Sequence, residues 1–343
     1  MAVSLGPDLG DGAAVLAWAC RAGVLSPGQV VDERLTVTGF RGRNDVFVVD
    51  SAAGRLVLKR FRQARDAAAE VRAHSRLERT SIAPHLLRLV ARDGLLVVYE
   101  SPEGVVGLGR RLYGARPPNA RLLRGMGRVL GGLHGCGAPP ARTRRGLPWI
   151  LGIADPAPVG ILAQGVKLQR LVADLQARAD VARALDRLAA APGPRVPCHN
   201  DVKWENWLVA ERGPLASRLR LIDLEHAGPG PAAWDVGSVL ANLCELWVDA
   251  VVERALGFRE VRQLAAALAA GYAEAGGTAS SARCVAFAGA RLLQTVYESV
   301  SYSAYVGEHA HRLLEMAAHL LTRPESAAVH LFGLDARAFR PRD

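Results

Sequence analysis

The segment 198–206, which reads C-H-N-D-V-K-W-E-N, is the sequence feature that most limits how this chain can fold. Two short runs of strand-forming residues follow it at 207–209 and 218–222, and a turn around Gly213 joins them. Asp223 comes directly after the second run. This order predicts a polar loop followed by a hairpin that carries an acidic residue at the end of its second strand.

The residue types in this segment suit a particular chemistry. A hydroxyl that attacks a γ-phosphate needs a carboxylate to orient it and accept its proton, and Asp201 can supply one. The phosphates also need a divalent cation held by oxygen ligands, and Asn206 and Asp223 offer such ligands. A polar loop without function would explain an isolated H-x-D, but it explains the five-residue spacing from Asp201 to Asn206 less well.

These motifs resemble those of the aminoglycoside phosphotransferase and choline kinase family, part of the protein-kinase-like superfamily, over residues 39–238. The family pattern is H-G-D-x-x-x-x-N followed by D-x-D or D-x-E, and this chain reads H-N-D-x-x-x-x-N and then D-L-E. Asn200 stands where the family has glycine, which makes the loop shape an open question because asparagine enters the left-handed region less freely. The resemblance also gives His134 and Asp235 structural roles, with Asp235 supporting the loop.

The resemblance implies an α+β, bilobal protein-kinase-like fold that uses ATP and Mg²⁺. We expect a small β-rich N-lobe over residues 1–100, with a nucleotide-binding sheet and one helix. The larger, mostly helical C-lobe would span 101–343 and carry the catalytic loop, the metal site and the acceptor site. The sequence pattern independently predicts strands at 46–49, 55–61 and 95–99 and a helix at 64–79. Further helices are predicted near 121–134, 161–190, 232–252, 258–275, 280–305 and 309–321.

Lys59 lies in a predicted apolar strand, where burying an unpaired lysine is costly. It could simply face solvent, but the resemblance implies that it grips the α- and β-phosphates. The resemblance also makes Glu70, on the next helix, its ion-pair partner, with Glu78 as the second choice.

The other nucleotide-binding predictions come from the same resemblance. The loop containing Gly39, Gly42 and Asn44 resembles the family's phosphate-covering loop, although two glycines and an asparagine also make ordinary turns. Glu100 and Ser101 follow a predicted strand and resemble the hinge, whose backbone would meet adenine.

The net charge is +10, and residues 104–154 contain nine arginines and no acidic residue. This strip is either a solvated surface or a docking site for an anionic partner. Nucleic acid fits poorly, because the arginines are not interleaved with stacking aromatic residues. The charge also argues against polycationic aminoglycosides or choline as the acceptor, and it favours an anionic or peptide acceptor.

Lys203 stands two residues after Asp201, where the resemblance to protein kinases acting on Ser/Thr places a lysine near the transferred phosphate. We therefore expect either a small-molecule hydroxyl or the Ser/Thr of a peptide as acceptor. The peptide alternative is an acidic, ribosomally made precursor that is phosphorylated before elimination, as in lanthipeptide biosynthesis. A kinase-shaped nucleotide-binding protein without activity is the remaining alternative.

Composition limits the cellular context. No stretch of about 18 uninterrupted apolar residues and no signal-peptide pattern occurs, so we expect a cytoplasmic protein without a membrane partner. The five cysteines are scattered and form no C-x-x-C pair, which favours reduced thiols over disulfides or zinc ligation.

Overall fold

The structure is a computed structural model of the chain. By its internal contacts the chain divides into two compact units, the first within 1–107 and 207–226 and the second within 108–206 and 227–343. The expected lobe boundary after residue 100 stays a prediction. The structure describes residues 12–31, 35–40, 42–113, 117–137, 147–153, 166–214, 218–248, 256–302 and 307–340.

An antiparallel sheet with the strand order β1-β2-β3-β5-β4 forms the frame of the first unit. The three strands expected in this region are confirmed as β2, β3 and β5. The outer strands β1 and β4 were not predicted, because β1 contains a glycine and β4 has charged residues at both ends. The strands are β1 Thr36–Phe40, β2 Asp45–Ser51, β3 Gly54–Arg60, β4 Arg88–Asp93 and β5 Leu96–Ser101.

Helices cover both faces of this sheet. On one face, α1 (Gly12–Arg21) buries Trp18 against strand residues that include Leu58. On the other face, α3 (Ala64–Leu77) packs against strand residues whose side chains point away from α1. Because side chains alternate along a strand, Lys59 points away from the α1 face occupied by its neighbour Leu58. The short helix α2 (Pro27–Val30) follows α1.

Helix α3 places a charged residue inside its buried stripe. Its buried residues are Ala67, Glu70, Val71, His74 and Leu77, which recur at the spacing of one helix face. Burying a carboxylate in such a stripe is costly unless it is paired and hydrogen-bonded. The Glu70 carboxylate therefore requires a positively charged or hydrogen-bonding partner.

The hairpin predicted after residue 206 lies in the first unit. Its strands are β8 (Trp207–Ala210) and β9 (Arg220–Leu221), and β8 also pairs with β6 (Val105–Gly107) to give the order β6-β8-β9. The second strand is shorter than expected, and residues 215–217 lie outside the described part of the chain. Asp223 follows β9 after one intervening residue.

The second unit is mostly helical. A two-stranded antiparallel ladder of β7 (Arg195–Cys198) and β10 (Gly228–Pro231) accompanies the helices. The described helices are α4 Leu108–Tyr113, α5 Ala120–His134, α6 Val166–Ala177, α7 Ala179–Ala190, α8 Ala232–Val248, α9 Phe258–Glu274, α10 Ser281–Tyr302, α11 Glu308–Thr322 and α12 Pro324–His330. None of them is long and apolar enough to cross a membrane.

The prediction of one continuous helix near 161–190 was wrong. The stretch 161–190 contains α6 and α7, separated at Arg178, whose backbone angles of φ −90° and ψ 80° are not helical. Helix α6 packs against α10, whereas α7 packs mainly against α11 and less extensively against α10. Tertiary packing therefore interrupts a stretch whose residue pattern alone reads as continuous.

The contact between α5 and α9 depends on glycine at the crossing point. A Cβ atom added to Gly127 would lie 2.2 Å from the carbonyl oxygen of Leu268, and one added to Gly271 would lie 2.0 Å from that of Arg124. Both neighbours are backbone atoms, so they cannot move aside as a flexible side chain would. The two helices thus approach closely because these positions carry no side chain.

We predict that Gly271→Ala lowers the free energy of unfolding by about 1–3 kcal/mol or more, because the added methyl group forces the helices apart. Urea unfolding followed by circular dichroism measures this loss. Gly152→Ala is the control, since no described atom lies within 4 Å of its added Cβ. Equal stability of the two variants would contradict the packing argument.

Candidate active site

The side chain of Lys59 is the centre of a buried ionic cluster in the first unit. It comes from β3 and is 8% exposed. Its Nζ lies 3.1 Å from Glu70 Oε2 and 3.2 Å from Glu225 Oε2, and it also donates to Asp223 Oδ1. Phe61 places its ring centroid 4.4 Å from the same nitrogen. The predicted partner of Lys59 on α3 is therefore in contact with it.

The cluster also fixes the second oxygen of Glu70. Tyr99, from β5, donates a hydrogen bond of 2.7 Å from its hydroxyl to Glu70 Oε1. Burial, together with the neighbouring Glu70 carboxylate, raises the pKa of Tyr99, so the phenol keeps its proton. Burial lowers the pKa of Lys59, but the carboxylates of Glu70, Asp223 and Glu225 outweigh it and raise that pKa overall. The lysine is therefore a cation at neutral pH.

Glu225 connects this cluster to the turn between β1 and β2. Asn44 Nδ2 donates to its Oε2 at 2.7 Å, and Arg43 Nη1 lies 3.6 Å from its Oε1. His226 Nε2 lies 3.4 Å from the same Oε1. No role was assigned to Glu225 from the sequence, although the D-L-E pattern contains it. Its many partners hold the turn against the segment that carries Asp223.

The other predicted nucleotide-binding residues lie in this sheet or in the turn between β1 and β2. Gly39 belongs to β1, paired with Phe47, so the loop itself begins after Phe40, and Arg41 lies outside the described residues. Gly42 accepts a hydrogen bond from Arg62 through its carbonyl oxygen. Their predicted role in covering phosphates stays a prediction.

Glu100 and Ser101 end β5. The Glu100 side chain forms an ion pair with Arg88 of the neighbouring strand, and Ser101 is buried. Their backbone role at the adenine ring stays a prediction.

Asp201 occupies a second cluster, within the second unit. Lys203 Nζ lies 2.9 Å from Asp201 Oδ2, and Asn206 Nδ2 donates to the same oxygen at 3.2 Å. Arg291 Nη1, from α10, lies 3.3 Å from Oδ1. Burial raises the pKa of Asp201, but Lys203 and Arg291 outweigh it and hold that pKa well below its usual range. The carboxylate is therefore ionised at neutral pH.

The loop that carries Asp201 is held by Asp235 of α8. The two oxygens of Asp235 accept hydrogen bonds from the backbone nitrogens of His199, at 2.7 Å, and Asn200, at 2.9 Å. His134 Nε2 lies 3.2 Å from Oδ2, and His134 Nδ1 lies 2.8 Å from the hydroxyl of Tyr272. These contacts place both predicted structural residues directly behind the loop.

Asn200 has a left-handed backbone with φ 65°. The loop therefore keeps the shape that glycine would allow, and asparagine is one of the few other residues that enter this region readily. Its side-chain nitrogen donates to the Gly228 carbonyl at 3.4 Å. Asp223 is also left-handed, with φ 69°.

A third set of polar residues was missed by the sequence reasoning. Glu245 of α8 accepts a hydrogen bond of 2.9 Å from Thr295 on α10. Burial raises the pKa of Glu245 to about 7, although Thr295 and Arg291 lower it, while Glu205 and Glu298 add to the increase. The recognisable signal was charged residues inside otherwise apolar helical stretches.

The acidic residues of the first unit are of the type that binds divalent cations, and the ammonium of Lys59 lies among them. Glu70, Asp223 and Glu225 each offer a carboxylate oxygen, and these atoms lie within 4.8 Å of one another. Carboxylate oxygens are the ligands that Mg²⁺ prefers. Asn206, the other predicted ligand, lies in the second unit, where its side-chain nitrogen is bonded to Asp201.

The arginine strip is only partly described. Residues 114–116 and 138–146, and with them Arg142, Arg144 and Arg145, lie outside the described part of the chain. Arg124 and Arg128 of α5 pair with Glu274 of α9, so part of the strip's charge is neutralised within the second unit.

Comparison with protein families gives one assignment for most of the chain. Residues 36–278 match the model of the phosphotransferase enzyme family. A comparison of the sequence with curated proteins finds no significant match.

Solved structures of similar fold agree with this match. A choline/ethanolamine kinase family protein from Mesorhizobium loti is 19% identical, covers 95% of this chain and 99% of its own, and has a TM-score of 0.58. A microcompartment-associated aminopropanol kinase is 18% identical over 91% of this chain and 97% of its own, with a TM-score of 0.59. A spectinomycin phosphotransferase, in complex with ADP and spectinomycin, is 13% identical over 85% and 92%, with a TM-score of 0.52. These likenesses confirm the predicted protein-kinase-like fold.

We predict that Asn200→Ala lowers the free energy of unfolding by about 1–2 kcal/mol, because alanine tolerates the left-handed backbone poorly. Asn200→Gly should stay close to the unaltered protein, since glycine adopts this conformation without steric cost. Urea titrations of the two variants measure the difference. Equal losses in both would show that the side-chain hydrogen bond, rather than the backbone conformation, sets the cost.

Proposed function

Because this chain belongs to the phosphotransferase enzyme family, we propose that it transfers the γ-phosphate of ATP to a hydroxyl group of a small molecule. The observation that carries the proposal is the setting of Asp201. Its carboxylate is ionised and partly buried, and it accepts a hydrogen bond from Asn206, which follows it by the expected five residues. A carboxylate so placed orients the acceptor hydroxyl and receives its proton as the new oxygen–phosphorus bond forms.

The remaining roles follow the sequence pattern. Lys59, fixed by Glu70, binds the α- and β-phosphates. Lys203 lies beside Asp201 and faces the transferred phosphate. Asn206 and Asp223 provide oxygen ligands for the cation. A bound Mg²⁺ would neutralise charge that develops on the phosphates.

We further propose that the acceptor carries an amine. The proteins of similar fold include kinases named for choline or ethanolamine, for aminopropanol and for spectinomycin, which each bear an amine or a quaternary ammonium group. In the second unit of this chain, Glu245 lies in the electrostatic environment of Arg291, which contacts Asp201, and of Glu205 and Glu298. Local carboxylates of this kind favour an ammonium group despite the net charge of +10.

The peptide alternative has less support. It rested on Lys203 and on the arginine strip, whose loop members Arg142, Arg144 and Arg145 lie outside the described residues. Two arginines of the strip on α5, Arg124 and Arg128, pair with Glu274. We therefore place the small-molecule acceptor first.

The proposed reaction is tested by measuring ADP release with MgATP, using choline, ethanolamine, 1-amino-2-propanol and spectinomycin as acceptors. We predict that Asp201→Asn lowers kcat by roughly 10² to 10⁴ while leaving the fold intact, because a positioned proton acceptor is lost. Omission of Mg²⁺ should abolish turnover. Release of no ADP by the unaltered protein with any acceptor would instead favour a nucleotide-binding protein without activity.

The acceptor class has its own test in the pH dependence of KM. Glu245, with a pKa of about 7, is mostly neutral at pH 6 and mostly ionised at pH 8. Binding of a cation needs the ionised form, so KM for choline should fall roughly tenfold from pH 6 to pH 8. Choline suits this test because its quaternary ammonium does not titrate. Glu245→Gln should raise the KM and remove its pH dependence.

Two controls accompany this measurement. The neutral analogue 3,3-dimethylbutan-1-ol should show no such dependence in either protein. Glu325→Gln, an exposed position on α12, should behave like the unaltered protein. A choline KM that is independent of pH, or unaffected by Glu245→Gln, would exclude Glu245 as the amine-binding group.

A further inference from the structure

A buried arginine contacts the proposed catalytic carboxylate from the helix that lies behind it. Arg291 belongs to α10 and is 3% exposed. Its Nη1 lies 3.3 Å from Asp201 Oδ1. The position is 90 residues away from Asp201 in sequence, and no motif contains it.

We propose that Arg291 is a positioning residue that fixes the orientation of the Asp201 carboxylate during phosphate transfer. This inference rests on the proposed function, because it assigns a task to a group on which that function depends. It concerns orientation, and it requires no contact between Arg291 and either substrate.

The two oxygens of Asp201 are held by different groups. Oδ2 receives Lys203 Nζ and Asn206 Nδ2, while Oδ1 faces Arg291. Lys203 has a flexible stem and a partly exposed side chain, so it restrains the carboxylate weakly. With Oδ1 released, the carboxylate could rotate about its last side-chain bond. The arginine therefore supplies the second point that defines the plane of the carboxylate.

Arg291 is itself held in place. Its guanidinium lies 6.0 Å from the ring centroid of Trp234, within the range of a cation–π contact. Trp234 donates a hydrogen bond of 3.1 Å to the backbone oxygen of Asn200, the residue before Asp201. It also packs edge-on against Phe287, one turn before Arg291 on α10. The arginine and the loop are thus positioned by the same tryptophan.

Stability alone explains this arginine poorly. Its Nε and Nη1 are buried without a hydrogen-bond partner of acceptable geometry among the described residues, although Nη1 is in the ion pair. Taking a guanidinium out of water is costly even with the ion pair to Asp201 and the nearby Glu245 carboxylate. An apolar side chain of similar volume is often as stable or more so. The buried charge of Arg291 is therefore better explained by the orientation of Asp201 than by stability.

The first test compares Arg291→Met with Arg291→Lys in basal MgATP hydrolysis, in which water is the acceptor. We expect Arg291→Met to lower kcat roughly 10- to 100-fold, the effect of a misplaced reacting group. The KM for MgATP and the affinity for MgADP by calorimetry should stay within about threefold of the unaltered protein, since a positioning role acts on the reaction step. Arg291→Lys should recover part of kcat. Arg283→Met, on the same helix, controls for the loss of one positive charge.

A double-mutant cycle with Asp201→Asn gives the decisive readout. If Arg291 acts through Asp201, Arg291→Met should change kcat by less than about threefold when Asp201 is already Asn. A full loss in that background would overturn the proposal and would indicate direct contact with the phosphate. Unchanged kcat in both Arg291 variants would overturn it as well.

A double-mutant cycle of unfolding free energies keeps the test informative if a variant folds poorly. Urea unfolding of the single variants and the double variant should show coupling between the two positions, whether or not they are active. If Arg291→Met does not fold, Arg291→Lys and its combination with Asp201→Asn carry the comparison of kcat. Absence of ATP turnover in the unaltered protein would contradict the proposed function, whereas normal turnover with an additive cycle would contradict this inference alone.

Discussion

Asp235 has no exposed surface, and a buried carboxyl group there must satisfy its oxygens within the protein. It does so with two backbone nitrogens of the loop and with His134. Because those nitrogens belong to His199 and Asn200, the demand for hydrogen bonds fixes the backbone just before Asp201. The position of Asp201 therefore depends on the hydrogen bonds that the buried carboxylate of Asp235 requires.

The same constraint operates in the first unit around Glu70. Its place in the buried stripe of α3 forces it to find partners, and Lys59 and Tyr99 supply them. Each partner comes from a different strand of the sheet. A charged residue inside an apolar stripe thereby aligns a helix with two strands, in addition to any role in nucleotide binding.

The sequence predicted those parts whose signal is local. The spacing of Asp201 and Asn206, the strands around Lys59 and the helix with Glu70 all follow from short patterns, and the structure contains them. Arg291 could not be assigned, because its meaning depends on which helix packs behind the loop. The break at Arg178 was missed for a similar reason, since the packing partners of α6 and α7 decide it and no helix-breaking residue marks it.

Asn200 and Asp223 share a left-handed backbone, but they differ in what a replacement could preserve. Glycine at Asn200 would relax the backbone and remove no group that the proposed chemistry uses. Glycine at Asp223 would relax it equally and delete a carboxylate of the ionic cluster. A non-glycine residue in this conformation lowers stability by about 1 kcal/mol. At Asp223 this cost accompanies the carboxylate that the proposed chemistry needs. Glycine can therefore replace Asn200 without loss of a proposed chemical group, and it cannot do so at Asp223.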